Sequence, residues 1–161
     1  MPCEEERETL HDFSIEYVKL LAKVFGWKVK TSLGHEKGPD VIIEHILGKK
    51  EEIDAVMFVE CEVGHDQGGA QEYFRRLGER LKKHVEEYRS NHSRIRFSVV
   101  IITNAPRRLS NYFRENGDEI EHTWGLKLVE GFNIFTVPVL IMKEVLPAIF
   151  VRAMGAIGRY A

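Results

Sequence analysis

Two apolar runs rich in β-branched residues, 41–47 and 55–63, flank the short polar segment 48–52. This pairing constrains the fold more than any other feature. Strand-forming runs so close together pair antiparallel, as a hairpin. With a turn centred near Lys50, residues whose numbers sum to about 100 lie opposite one another, so Asp40 faces Glu60. The second run contains Val59-Glu60-Cys61-Glu62-Val63. Alternate side chains of a strand share a face, so Glu60 and Glu62 point one way and Cys61 the other. Carboxylates crowded on an apolar strand repel each other and lose hydration, so they call for a cation or a hydrogen-bond network. An oxygen-only set of Asp40, Glu60 and Glu62 suits Mg²⁺ or Mn²⁺ rather than Zn²⁺. The plainer reading of any one of these glutamates is a solvated edge or a salt bridge.

The rest of the chain supplies the covering layers. Leu10, Phe13, Tyr17, Leu20, Leu21 and Val24 recur at helical spacing, and Gly26 follows as a stop. Residues 27–33 read as a first strand. A helix is predicted over 69–88, with Tyr73, Leu77, Leu81, Val85 and Tyr88 on one face. Residues 97–103 read as a buried strand, 107–124 as a helix whose end Gly117 leaves open, and 133–137 as a last strand. A closing helix is predicted from Pro138, with proline in its first turn and a kink or break at Pro147. The order α, three strands, α, β, α, β, α describes an α/β fold, a mixed sheet flanked by helices on both faces. No repeat or linker interrupts it, so residues 1–161 read as one domain.

The net charge of −2 argues against strong nucleic-acid binding, but its distribution does not. Residues 1–72 carry 8 Lys+Arg against 16 Asp+Glu, and residues 73–161 carry 15 against 9. An acidic region beside a basic one is what a metal site beside a phosphate track requires, although uneven surface charge gives the same sums. Cys3 and Cys61 form no disulfide framework or metal spacing, which fits a reducing, cytoplasmic location. Neither a leader-like apolar segment nor a membrane-length apolar run is present, so no membrane partner is expected. The seven histidines show no HExxH pattern, and no phosphate-loop, dinucleotide or nucleophile-elbow motif occurs.

Gly38-Pro39-Asp40, an apolar strand, a turn and then Val59-Glu60-Cys61-Glu62-Val63 together resemble the PD-(D/E)XK nuclease superfamily. That group includes type II restriction enzymes and archaeal Holliday-junction resolvases. The likeness spans roughly residues 10–105 and includes the Gly26-Trp27-Lys28-Val29 lead-in. It implies a restriction endonuclease-like fold and a Mg²⁺-dependent (or Mn²⁺-dependent) endonuclease acting on DNA in repair or recombination. Asp40, Glu60 and Glu62 would be catalytic, and Asp40, Glu60, the Cys61 backbone carbonyl and the helix acid Glu16 would hold the metal. One position departs from the pattern: Glu62 stands where the family usually has lysine. A minority of members with glutamate there are active, and Glu62 would then bind a second metal or orient the attacking water. Lys82 or Lys83 is a candidate for the displaced cation.

The other outcome is a catalytically inactive member of the fold, serving as a nucleic-acid-binding or protein-interaction module. His65, Asp66 and Gln67 either reach the same mouth or form an ordinary polar loop. Arg75, Arg76, Arg80, Lys82 and Lys83, with Arg107 and Arg108 at a helix start, are candidates for phosphate contacts. The alternative for them is a solubilising helix face. Val139, Leu140, Ile141, Leu146, Ile149, Phe150, Val151 and Met154 make the C-terminal segment unusually apolar. A homodimer interface and a core helix are the two readings of it.

Overall fold

A computed structural model of the chain describes residues 4–30, 39–47, 52–63, 69–92 and 94–154. Its elements are α1 (Glu4–Val24), β1 (Lys28–Lys30), β2 (Val41–Leu47), β3 (Glu52–Glu62), α2 (Gly69–Asn91), β4 (Arg96–Thr103), α3 (Pro106–Trp124), β5 (Ile134–Pro138) and α4 (Met142–Met154), with a 3₁₀ turn at Val139–Ile141. The strands form one sheet in the order β1-β2-β3-β4-β5. The pairs β1–β2 and β2–β3 are antiparallel, while β3–β4 and β4–β5 are parallel. The hairpin register matches the sequence expectation: Val41 lies opposite Val59, Ile42 opposite Phe58 and His45 opposite Ala55. An irregularity between His45 and Ile46 then shifts the pairing to Ile46 with Ile53. The expected turn at Lys50 and the end of the first predicted strand lie outside the described residues.

Parallel neighbours need crossovers, and α2 and α3 provide them. Both pack on the face that carries Ile42, Val56, Phe58, Val99 and Ile101, burying Leu77, Leu81, Val85, Leu109 and Trp124. The opposite face carries Val41, Ile43, Met57, Val59 and Cys61, covered by Val18 and Ala22 of α1 and Leu146 and Phe150 of α4. Each of the large side chains buried there stabilises the fold by about 1.5–3 kcal/mol before chain entropy is set against it. Helices α2 and α3 lie close together at Gly78, where an added Cβ would lie 2.2 Å from the Trp124 Nε1. Trp124 donates that N–H to the Phe74 carbonyl at 3.0 Å.

Three sequence expectations hold only in part. On α1 the buried line is Ser14, Val18 and Ala22, whereas Phe13, Leu20 and Val24 are 47%, 61% and 75% exposed. Small residues at the contact let the helix lie close to the sheet, while Leu10, Tyr17 and Leu21 of the expected stripe pack against the core half-buried. The last helix begins at Met142, because Pro138 closes β5 and a 3₁₀ turn intervenes. Pro147 lies inside α4 without ending it. Proline there lacks the N–H that would bond the carbonyl of Lys143, and the Tyr17 hydroxyl of α1 donates to that carbonyl instead, at 3.3 Å. Of the apolar C-terminal residues, Val139, Leu146, Phe150 and Met154 are core, while Leu140 and Ile141 are exposed. After α1, the Gly26 stop is as expected: it has φ +78°, and Trp27 N–H reaches back to the Ala22 carbonyl at 2.9 Å.

Candidate functional site

Antiparallel pairing sets the start of β2 beside the end of β3, and this brings the carboxylates together. The Asp40 backbone N–H donates to Glu60 Oε2 at 3.1 Å, and the Cys61 N–H donates to Asp40 Oδ2 at 2.8 Å. Glu60 and Glu62 share the strand face that α2 covers, and Arg80 of α2 forms an ion pair with Glu60. Glu60 is buried, at 4% exposure. Burial, and then the neighbouring Asp40 charge, push its carboxyl up to about 7 against the opposing pull of Arg80. Cys61 turns to the α1 side, where burial raises its thiol to about 12, so it is no nucleophile.

The three carboxylates open onto a pocket of about 460 Å³ at this end of the sheet. Glu8, His11 and Asp12 from α1 line one wall and Tyr73, Arg76 and Arg80 from α2 the other. His11 Nε2 lies 3.4 Å from Asp40 Oδ2, and that contact raises the His11 pKa above its usual value despite partial burial. The Tyr73 hydroxyl is buried in this wall with no hydrogen-bond partner among the described residues. An unsatisfied buried hydroxyl costs about 1–3 kcal/mol. A donor left in that state beside carboxylates and arginines is one that a ligand oxygen or a water would satisfy.

The residues singled out from sequence divide clearly. Asp40, Glu60, Glu62, Cys61, Arg76 and Arg80 all line the pocket. Glu16 does not: its side chain is 75% exposed and pairs with Lys19, so α1 reaches the site through the turn around His11. Arg80, a candidate phosphate contact, pairs with Glu60 and so places a cation beside the carboxylates. Lys82 and Lys83 are exposed on α2, away from the pocket lining. Arg75 is held by Glu72 and Glu79 of its own helix. Arg107 and Arg108 begin α3 just past the end of β4, where Thr103 pairs with Glu62, so they stand at the same end of the sheet. Gly38, His65, Asp66 and Gln67 lie outside the described residues.

The pattern gives His11 no role, and it gives Arg80 a phosphate contact rather than a place beside the carboxylates. Both continue buried stripes: His11 precedes Ser14 and Val18 by helical steps, and Arg80 lies between Leu77 and Leu81. A polar residue on the inward side of a helix, just where the facing strand carries glutamates, is the signal that would have found them.

Among the described residues, no three His, Cys, Asp or Glu side chains are already gathered around a metal position. The reason is visible in the hydrogen bonds. Asp40 N–H and Arg80 engage Glu60, and Cys61 N–H and His11 engage Asp40. The donor chemistry nevertheless fits a hard divalent cation: all three acids offer oxygen, and two of them are within one hydrogen-bonded unit. Comparison with known protein families, with curated proteins and with solved structures finds no match. Fold and site define an α/β protein with a five-stranded mixed sheet and an acidic pocket at the end of β3. No helix among the described residues is long and apolar enough to cross a membrane.

Proposed function

We propose that the chain is a Mg²⁺- or Mn²⁺-dependent deoxyribonuclease of the PD-(D/E)XK type, with a restriction endonuclease-like fold, cutting DNA internally in repair or recombination. The observation that carries this reading is the convergence of Asp40, Glu60 and Glu62 in one pocket with a helix-borne arginine on Glu60. Asp40, Glu60 and the Cys61 carbonyl are the groups that would hold the ion. When bound, such an ion lowers the pKa of a water and polarises a phosphate.

The chain's own residues would do the rest. Arg80, released from Glu60 as the acid turns to a metal, would supply beside the phosphate the positive charge that the usual lysine gives. Glu62 would accept a hydrogen bond from the attacking water and orient it. His11 would hold Asp40, and the Tyr73 hydroxyl would donate to a phosphate oxygen. Arg76, Arg107, Arg108, Lys82 and Lys83 would neutralise flanking phosphates. Arg75, bound by two glutamates, would contribute less. A homodimer through the exposed Leu140 and Ile141 belongs to the same proposal, and sedimentation of the free protein tests it.

The second reading is a non-catalytic module with this fold. The observation favouring it is that both Glu60 oxygens are engaged, one by the Asp40 N–H and the other by Arg80. Plasmid, single-stranded and four-way-junction DNA, each with Mg²⁺, Mn²⁺ or EDTA, separate the two. Cleavage that needs metal and disappears in Asp40→Asn supports the nuclease. Binding to DNA without cleavage of any form under any condition gives the module.

A further inference from the structure

At the other end of the parallel strands, a cleft of about 300 Å³ is lined by Arg89, Arg96, Lys127 and Arg152 and, among the described residues, by no aspartate or glutamate. The strands separate it from the acidic pocket: Arg96 opens β4 and Thr103 closes it. At about 3.3 Å per residue, that is about 23 Å. Three of the four cations are fixed in place by backbone carbonyls. Arg89 donates to Gly125 at 2.6 Å, Arg96 to Met154 at 2.8 Å and Arg152 to Gly131. A carbonyl orients a guanidinium without cancelling its charge. Asp54, at 3.5 Å from Arg96, is the one carboxylate paired with any of them among the described residues. Glu130, the acid of the adjoining loop, is instead drawn to Arg114 and Ser110. The same lining includes Phe132, which is 62% exposed.

Preoriented guanidinium groups beside an exposed aromatic ring match one chemistry: a phosphate with a flat base attached to it. We infer that this cleft binds a nucleotide unit, with the phosphate among Arg89, Arg96, Lys127 and Arg152 and the base on Phe132. The inference does not depend on the nuclease reading, because it uses none of the residues of the acidic pocket. The unit has two sources, a free nucleotide or one link of a single strand.

The test is calorimetric titration with deoxyadenosine 5′-monophosphate, inorganic phosphate, deoxyadenosine and a short oligothymidylate, with backbone amide shifts locating each ligand. The monophosphate is expected to bind and to shift amides around Lys127 and Phe132. Phosphate is expected to bind more weakly, and deoxyadenosine not at all. Lys127→Glu and Phe132→Ala remove no hydrogen bond or ion pair seen among the described residues, so both should fold. Each should weaken the monophosphate about fivefold or more, while Asp40→Asn should bind it as wild type does. Tighter binding of the oligomer than the monomer identifies a strand, and the reverse identifies a free nucleotide. The inference is overturned if wild type binds no monophosphate, if neither cleft variant weakens it, or if the amide shifts fall at Asp40 and Glu60.

Discussion

Replacing Glu60 by glutamine should stabilise the metal-free protein, and only at high pH. Glu60 is buried beside Asp40, and its carboxyl is pushed from an ordinary 4.5 to about 7. The folded chain therefore holds a proton between those values that the unfolded chain has released. Native binding of more protons means that wild-type stability rises as pH falls from about 7 to 4.5 and is lower by the full amount above 7. At 1.36 kcal/mol per pKa unit, the displacement corresponds to about 3 kcal/mol at pH 8 and to less than about 1 kcal/mol at pH 5. Glutamine is neutral at both; its single carbonyl oxygen keeps one of the two donors, the Asp40 N–H or Arg80, while its NH2 faces the other, which offsets part of the gain. Glu60→Gln is therefore expected to gain about 1–2 kcal/mol over wild type at pH 8, once the lost hydrogen bond is set against the displacement, and nothing at pH 5. Urea unfolding in EDTA at the two pH values measures this, with the m-value checked for constancy. A variant less stable than wild type at pH 8, or a difference independent of pH, refutes the argument. It would mean that the Arg80 ion pair outweighs burial.

The remaining predictions concern packing and the unusual glutamate. Gly78→Ala should destabilise by about 2 kcal/mol or more in chemical denaturation, because its methyl would lie within 2.2 Å of Trp124 and overpacking outweighs the helix-forming gain of alanine. Tyr17→Phe should cost about 1 kcal/mol in wild type and less in Pro147→Ala, where a backbone N–H again reaches the Lys143 carbonyl; equal losses in a double-mutant cycle would remove the tyrosine's role in holding α4. On the nuclease reading, Glu62→Ala should lose most DNA cleavage and Arg80→Ala should lose it too, while Glu62→Lys should retain some and bind Mg²⁺ more weakly by calorimetry. Unchanged cleavage in Arg80→Ala would remove that arginine from the chemistry.

Much of this architecture could be read from periodicity because the strands are long, apolar and close in sequence. The summed numbering of the hairpin placed Asp40 against Glu60, and the structure joins them by a hydrogen bond. The element order followed in the same way from runs such as 97–103 and 69–88. The face of α1 was legible only in part: Leu10, Tyr17 and Leu21 do pack on the core, but close packing selects Ser14, Val18 and Ala22 over Phe13, Leu20 and Val24. Glu16 came from the family resemblance alone, and nothing in the helix pattern pointed to His11. The hydroxyl that meets the carbonyl left open by Pro147 comes from a distant helix, which no local pattern contains. Arg80 was counted among surface cations because a helix sequence alone does not say which arginine meets a buried acid.

The two faces of the sheet are closed by chain segments of very different reach. On one face α2 and α3 are the crossovers themselves, so each can dock as soon as the strand after it pairs. On the other face α1 is made first and α4 last, and the bond that ties them, Tyr17 to Lys143, spans 126 residues. At about 5–20 residues per second, α1 waits roughly 6–25 s on the ribosome for its neighbour. Through the later part of that interval Met57 and Val59, which end in the core, have only half of their cover. Assembly of this chain is thus expected to be asymmetric in time, with the acidic pocket's α2 wall set early and the helix that buttresses its α1 wall arriving last. Aggregation during synthesis should start from the face that waits.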